Sequence, residues 1–400
     1  MSTELLPRGS VGLTERIAVI DADSHVMEPP DLWLRRLDGS RWGDRIPRVQ
    51  FDARSNEERW YIGGHRASGV ASFAFTGWGE FPPSHPRSVD DADPAAWDPH
   101  KRLERLDEYG IQAQVLYPNL LGFSSVFFLD IDDVALRNEC VLAYNDFLVD
   151  FVSVDPNRLI PLMWLPFWDV ELSVREIERC VSRGHHGIIM PSNFAPVGLP
   201  ALQDEHWHPI WASAQTHGLS VNFHTGFQTS SDEARQALGR RATRIDFAKT
   251  SALFMLGNAR TVADLVLYGV CHRFPKLTFV SVESGFGWMP YFAELLDWQY
   301  LNSGAREVDD VLDRLPSDYL REQVCGTFWF ERDSLSQLAH LYPDTAMFST
   351  DFPHPTSLTP GPASYSDHPA RVIDANLGTI DDVTVRKLLR DNAARVYHID

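Results

Sequence analysis

No apolar run in this sequence approaches the roughly 20 residues that a membrane-spanning helix needs. The four cysteines, Cys140, Cys180, Cys271 and Cys325, lie far apart and form no Cys-x-x-Cys pair. Disulfide scaffolding and a thiolate zinc site are therefore excluded as organising features. Basic charge is scarce: 36 Lys and Arg stand against 55 Asp and Glu, a formal net charge of -19. Such a chain offers nucleic acid no general basic surface, so an anionic substrate must be held by local Arg, Lys or metal charge. No Gly-rich phosphate loop follows an early strand, which removes the fingerprint of a dinucleotide-binding open sheet. The opening MSTELLPRGSVGLTER lacks the basic and apolar regions of a secretory signal. The expectation is a cytoplasmic protein with no membrane or nucleic-acid partner, acting on a small molecule.

Apolar residues make up 44% of the chain and aromatic residues 12%, enough for a large core. Eight short apolar runs read as buried strands: 17–23, 113–117, 159–165, 187–190, 219–224, 277–282, 324–330 and 346–350. Helical patterns lie between most of them, at 134–150, 170–183, 203–217, 252–271 and 289–301, and a last one closes the chain at 381–397. Eight strands alternating with helices predict an α/β fold, a (β/α)8 TIM barrel, in one domain spanning 1–400. Three insertions interrupt it, at about 27–100, 227–249 and 352–375. The first is rich in aromatic residues, Trp33, Trp60, Phe75, Trp78 and Phe81 among them, and reads as a lid or active-site wall. Prolines in the third exclude a continuous helix or central strand there.

Ionisable side chains collect at the C-terminal ends of these strands, where barrel active sites form. VIDADSHV ends the first strand in Asp21, Asp23 and His25, and alternation along a strand sends all three to one side. His224 ends the fifth, Glu283 the sixth, and Asp351 the eighth, with His354 just beyond; the fourth ends at Ser192 and Asn193. Carboxylates converging without partners are costly to bury, and one divalent cation removes that cost. Imidazole and carboxylate suit zinc first, then manganese or iron. Asp21 reads equally as a partner orienting a ligand histidine or as an acid satisfied by backbone. Trp78, Asn193 and His354 are candidate substrate contacts, and Arg66, Arg240 and Arg241 could hold a substrate carboxylate.

Asp23-x-His25, His224 and TDFPHP around Asp351 resemble the amidohydrolase superfamily, and more closely its amidohydrolase-related branch. That branch includes aminocarboxymuconate-semialdehyde decarboxylase, benzoate-type decarboxylases and related hydrolases. RLERLDEYGIQAQVLYP and DNAARVYHID are similar to the same branch. The resemblance implies that Asp23, His25, His224 and Asp351 bind one metal, that Asp351 also relays protons, and that the protein is a homodimer. Glu283 departs from it, because the decarboxylases carry a histidine there. The main reading is therefore a metal-dependent hydrolase acting on a small cyclic or aromatic carboxylic acid or amide, with Asp351, Glu283 and His224 in the catalytic set. The alternatives are a non-oxidative decarboxylase of an aromatic or muconate-type acid, and a non-catalytic binding protein on the same scaffold.

Overall fold

Strands that are apolar on both faces can be buried only between layers, and parallel sheets covered by helices supply that burial. A computed structural model describes residues 11–123, 125–227, 243–308 and 311–400. Its barrel strands are β1 (Val19–Val26), β5 (Ile111–Pro118), β6 (Leu159–Pro161), β7 (Met163–Trp164), β8 (Gly187–Ile189), β9 (Ser220–His224), β10 (Phe279–Val282), β11 (Val324–Phe328) and β12 (Ala346–Phe348). All pair in parallel, in the orders β1-β5-β6 and β7-β8-β9-β10-β11-β12. Leu162 alone separates β6 from β7, so the run expected at 159–165 is one barrel strand with a break.

The ring closes between β1 and the segment after β12. Ser24 bridges Phe352 in parallel. The Asp351 amide donates to the Asp23 carbonyl at 2.9 Å, and the His25 amide to the Phe352 carbonyl at 2.6 Å. The closure of this (β/α)8 barrel is thus made by the backbone of the residues whose side chains carry the chemistry.

The stretch between β1 and β5 is more structured than a loop. It folds an antiparallel sheet, β2 (Arg48–Asp52), β3 (Glu57–Ile62) and β4 (His65–Gly69), with Trp60 buried against Trp33. Three helices that the sequence reading did not single out, Pro99–Tyr109, Pro316–Gln323 and Pro369–Leu377, each begin with proline. Proline at the first helical position sacrifices no hydrogen bond and presets φ. Pro369, the last proline of the third insertion, starts a helix in this way. The helix expected over 252–271 is divided among Arg244–Phe254, Asn258–Leu267 and Val270–Arg273, with Gly257 and Gly269 at the joins and Gly269 at φ 73°. The closing helix is interrupted by a π-helical turn at Lys387–Asp391. Residues 228–242, most of the second insertion and including Arg240 and Arg241, lie outside the described residues.

Candidate metal centre

Asp23, His25, His224 and Asp351 are buried, and one donor atom of each falls within 4.8 Å of all the others. Asp23 and His25 come from the end of β1, His224 from the end of β9, and Asp351 from the turn after β12. The histidine hydrogen bonds decide what this cluster can be. Nδ1 of His25 lies 3.0 Å from the Pro118 carbonyl, and Nδ1 of His224 lies 2.7 Å from the Thr225 carbonyl. A carbonyl oxygen only accepts, so each Nδ1 carries a proton, and in the neutral ring each Nε2 keeps a lone pair. The two Nε2 atoms nevertheless face each other at 3.0 Å. Nε2 of His25 is also 3.5 Å from Asp23 Oδ1 and 3.6 Å from Asp351 Oδ1, and Nε2 of His224 is 3.6 Å from Asp23 Oδ1.

Donors bonded to one ion at about 2.0–2.2 Å sit roughly 3.0–3.5 Å apart, close to the 3.0–3.6 Å separations of the two Nε2 atoms and the carboxylate oxygens beside them. Neither oxygen of Asp23 nor of Asp351 has a hydrogen-bond partner among the described residues. Burial lowers His25 to about 4, opposing a second proton in the gap. Burial also raises Asp351 well above the usual carboxylate range, with the charges of Glu283, Asp23 and Asp21 adding to it. Asp23 and Glu283 raise His224 against its burial, so the bare cluster is relieved by taking up protons, a charge that one divalent cation held by the four donors would replace.

Glu283 and Asp351 hold left-handed backbone, φ 53° and 58°. Residues other than glycine adopt it at a cost, and such strain gathers at functional sites. The Glu283 amide donates to Thr327 Oγ1 at 2.9 Å, and its Oε2 accepts from Thr225 Oγ1 at 2.9 Å. Oε2 is also 3.5 Å from Nδ1 of His224, so Glu283 stands behind a ligand histidine, and burial lifts it to about 7. Glu283, Asp351 and His354 form a second group of donors within 4.8 Å. Nδ1 of His354 lies 2.8 Å from Asp351 Oδ1.

Asp21 orients no histidine. It accepts from the Thr350 amide at 2.9 Å, Thr350 Oγ1 at 2.5 Å, Gln114 Nε2 at 2.8 Å and the Asp23 amide at 3.2 Å. Burial raises it to about 7 against those bonds. It ties β1 to the turn that presents Asp351. Arg102, wholly buried, donates to the His25 carbonyl at 2.6 Å and lies 4.4 Å from the centre of the Phe352 ring, fixing the same junction from outside.

Aromatic rings close over the histidines. Phe227 stacks on His224 at 4.2 Å, and Phe123 meets His25 and His224 at 5.8 and 5.4 Å. Gly122 permits this, because a Cβ there would collide with the Phe227 ring. Buried Glu28 holds the Leu120–Phe123 turn by accepting from the Leu120 amide at 2.9 Å and the Leu121 amide at 3.3 Å.

A cavity of about 360 Å³ reaches His354, walled by Phe75, Trp78 and Phe81 from the segment after β4 and by Pro355, Thr359 and Tyr365 from the segment after β12. Trp78 and His354 thus share a pocket. Asn193 is exposed and does not line it. Arg66 is also misplaced for binding a substrate carboxylate: it pairs with Asp52 and bonds Ser55 within the β2–β4 sheet. Asn119, Thr225, Arg102 and Glu28 were missed from the sequence. Nothing in their local pattern separates them from ordinary polar residues near strand ends.

A gamma-resorcylate decarboxylase from Polaromonas sp. (strain JS666) is 31% identical over 129 residues, 31% of this chain and 37% of that protein, so the match spans little more than a third of it. A 2-amino-3-carboxymuconate-6-semialdehyde decarboxylase from Dictyostelium discoideum is 25% identical over 287 residues, 68% of this chain and 71% of that protein. Among solved structures, an amidohydrolase from Mycobacterium avium subsp. paratuberculosis K-10 superposes with a TM-score of 0.74 at 21% identity, over 96% of this chain and 98% of that one. A dihydroxybenzoic acid decarboxylase from Polaromonas sp. JS666, with bound manganese and the inhibitor 2-nitroresorcinol, gives 0.62 at 19% identity, over 96% and 97%. At these identities the structural likeness is one of fold. The Amidohydrolase family, however, matches residues 20–399, almost the whole chain, with the buried donors of the barrel mouth inside that span, and the protein belongs to that family of enzymes.

Proposed function

We propose that this enzyme is a divalent-metal-dependent, non-oxidative decarboxylase of a small aromatic carboxylic acid. The observation that carries the metal is the pair of Nε2 atoms facing each other at 3.0 Å beside buried carboxylate oxygens that accept no hydrogen bond among the described residues. Decarboxylation is favoured over the hydrolysis expected from the sequence because both curated relatives are decarboxylases. Asp23, His25, His224 and Asp351 would hold the ion. Zinc fits this donor set, and so does manganese, present in the Polaromonas structure. The ion would supply positive charge that binds and polarises an oxygen of the acid in a site otherwise rich in carboxylates.

The chain's own residues do the rest. Trp78, Phe75 and Phe81 offer flat apolar walls to a ring, in a cavity sized for a small substrate. Phe123 and Phe227 keep water from the histidines. When the bond between ring and carboxylate breaks, carbon dioxide leaves, the electron pair stays on the ring carbon, and a proton must replace it. Asp351 Oδ1 and His354 Nδ1, 2.8 Å apart, are the two groups placed to supply that proton, and His354 lines the cavity. Glu283 steadies His224 from behind. A homodimer is part of the same proposal, to be read from light scattering.

The test has two parts. Elemental mass spectrometry of the purified protein should find a divalent metal that a His25→Ala/His224→Ala variant lacks. Hydroxybenzoic acids, 2,6-dihydroxybenzoate first, are then incubated with the metal-loaded enzyme in oxygen-18 water. Carbon dioxide release with a product free of the label is expected. Label in the organic product means hydrolysis and sinks the reading.

A further inference from the structure

We infer that Asn119 is a two-sided residue of this site: its carbonyl oxygen fixes the orientation of His354, and its amide nitrogen donates to an oxygen of the substrate. The inference rests on the decarboxylase reading above and names the hydrogen-bonding chemistry its substrate must offer.

Asn119 follows β5 directly and is 3% exposed. Its Oδ1 lies 2.7 Å from Nε2 of His354. An amide oxygen only accepts, so Nε2 of His354 carries the proton and Nδ1 presents its lone pair. Nδ1 lies 2.8 Å from Asp351 Oδ1, off the line of a hydrogen bond. Asn119 therefore selects the one neutral tautomer of His354 in which Nδ1 is free to take up a proton. The opposite tautomer would already fill Nδ1 with hydrogen.

The other half of the carboxamide is unexplained by the protein. Nδ2 of Asn119 is buried and has no hydrogen-bond partner among the described residues. A buried amide donor without an acceptor is unfavourable, and such groups are rare in folded chains. Here the orphan belongs to a side chain bonded directly to a cavity-lining residue. The neighbouring Asp23 and Asp351 carboxylates accept but cannot donate when ionised. Asn119 thus supplies a neutral donor, suited to a carboxylate or phenol oxygen on the acid. The turn that carries it is pinned by Glu28 through the Leu120 and Leu121 amides, so the carboxamide is positioned before any ligand arrives.

Two substitutions separate the roles. Asn119→Asp keeps an oxygen toward His354 and removes the donor, whereas Asn119→Leu removes both. The first readout is histidine nitrogen-15 NMR of the full chain loaded with zinc, which distinguishes protonated from unprotonated ring nitrogens. His354, assigned by its absence in His354→Gln, should carry its proton on Nε2 in the native protein and in Asn119→Asp, and should lose that preference in Asn119→Leu. The second readout is calorimetric binding of 2-nitroresorcinol to the same zinc-loaded proteins, which is expected to weaken at least tenfold in both variants. Unchanged tautomers in Asn119→Leu overturn the orienting role. Native-like affinity in Asn119→Asp overturns the donor role. A native protein that shows the expected tautomer but does not bind 2-nitroresorcinol overturns the donor role and the substrate class together and leaves the orienting role standing. Circular dichroism verifies that each variant is folded, and His354→Gln gives the same affinity test without touching Asn119.

Discussion

Asp21 gives the sharpest test of how this barrel holds its chemistry. Its carboxylate receives four donors: the Thr350 amide and hydroxyl, the Gln114 amide and the Asp23 amide. In Asp21→Ala the hydroxyl and the Gln114 side chain can turn to other acceptors, but the two main-chain amides cannot. Each buried donor left alone costs about 1–3 kcal/mol, so the loss should be about 2–6 kcal/mol. Unfolding entropy of about 2.1 cal/mol/K per residue over 400 residues turns this into a Tm lower by roughly 2–7 °C. Asp21→Asn keeps one oxygen for the main-chain amides and should lose less than about 2 kcal/mol. Because the Thr350 bonds fix the turn that presents Asp351, Asp21→Ala should also weaken manganese binding more than Asp21→Asn does. Thermal unfolding of the metal-free protein by circular dichroism, with calorimetric manganese titration, measures both effects. An alanine variant as stable as the native chain, or an asparagine variant no better than alanine, refutes the tether.

Other consequences follow from the same geometry. Burial holds Glu28 at about 7 in the folded chain against an ordinary value of 4.5. Its stabilisation is therefore full below pH 4.5 and is lost as pH rises through 7, an effect of up to about 3 kcal/mol. Denaturant melts between pH 4.5 and 8 should decline less steeply in Glu28→Gln, and equal slopes would argue against this account. Gly122→Ala should drive Phe227 off His224 and cost about 1–3 kcal/mol, visible as a lower urea midpoint; an unchanged midpoint would show that the ring contact is not tight. Manganese at 100 times its Kd should stabilise the protein by about 2.7 kcal/mol, a Tm rise of roughly 3 °C that vanishes in His25→Ala/His224→Ala. The same rise in that variant would place the ion elsewhere.

Spacing along the chain determined much of this protein. Eight apolar runs set the barrel strands, and period-two alternation put Asp23 and His25 on one side at the end of the first. His224, Glu283 and Asp351 each end a strand or follow it closely, so a barrel must bring them to one mouth. Local chemistry of this kind is legible because a strand dictates where its own side chains point.

Tertiary structure decided the remainder. That His25 spends its Nδ1 proton on the Pro118 carbonyl, 93 residues away, and so turns its Nε2 toward that of His224, depends on where β5 and β9 come to rest. Asp21 looked like an equal choice between orienting a histidine and bonding backbone; the structure turns it toward Thr350, 329 residues away. Arg66 looked available to a substrate and is held by Asp52. Asn119 and Glu28 carry no local signal, since their partners, His354 and the Leu120 turn, come from distant strands or from backbone. Hydrogen bonds and burial depend on which groups share a dry space, and long-range packing, not sequence neighbourhood, assigns that space.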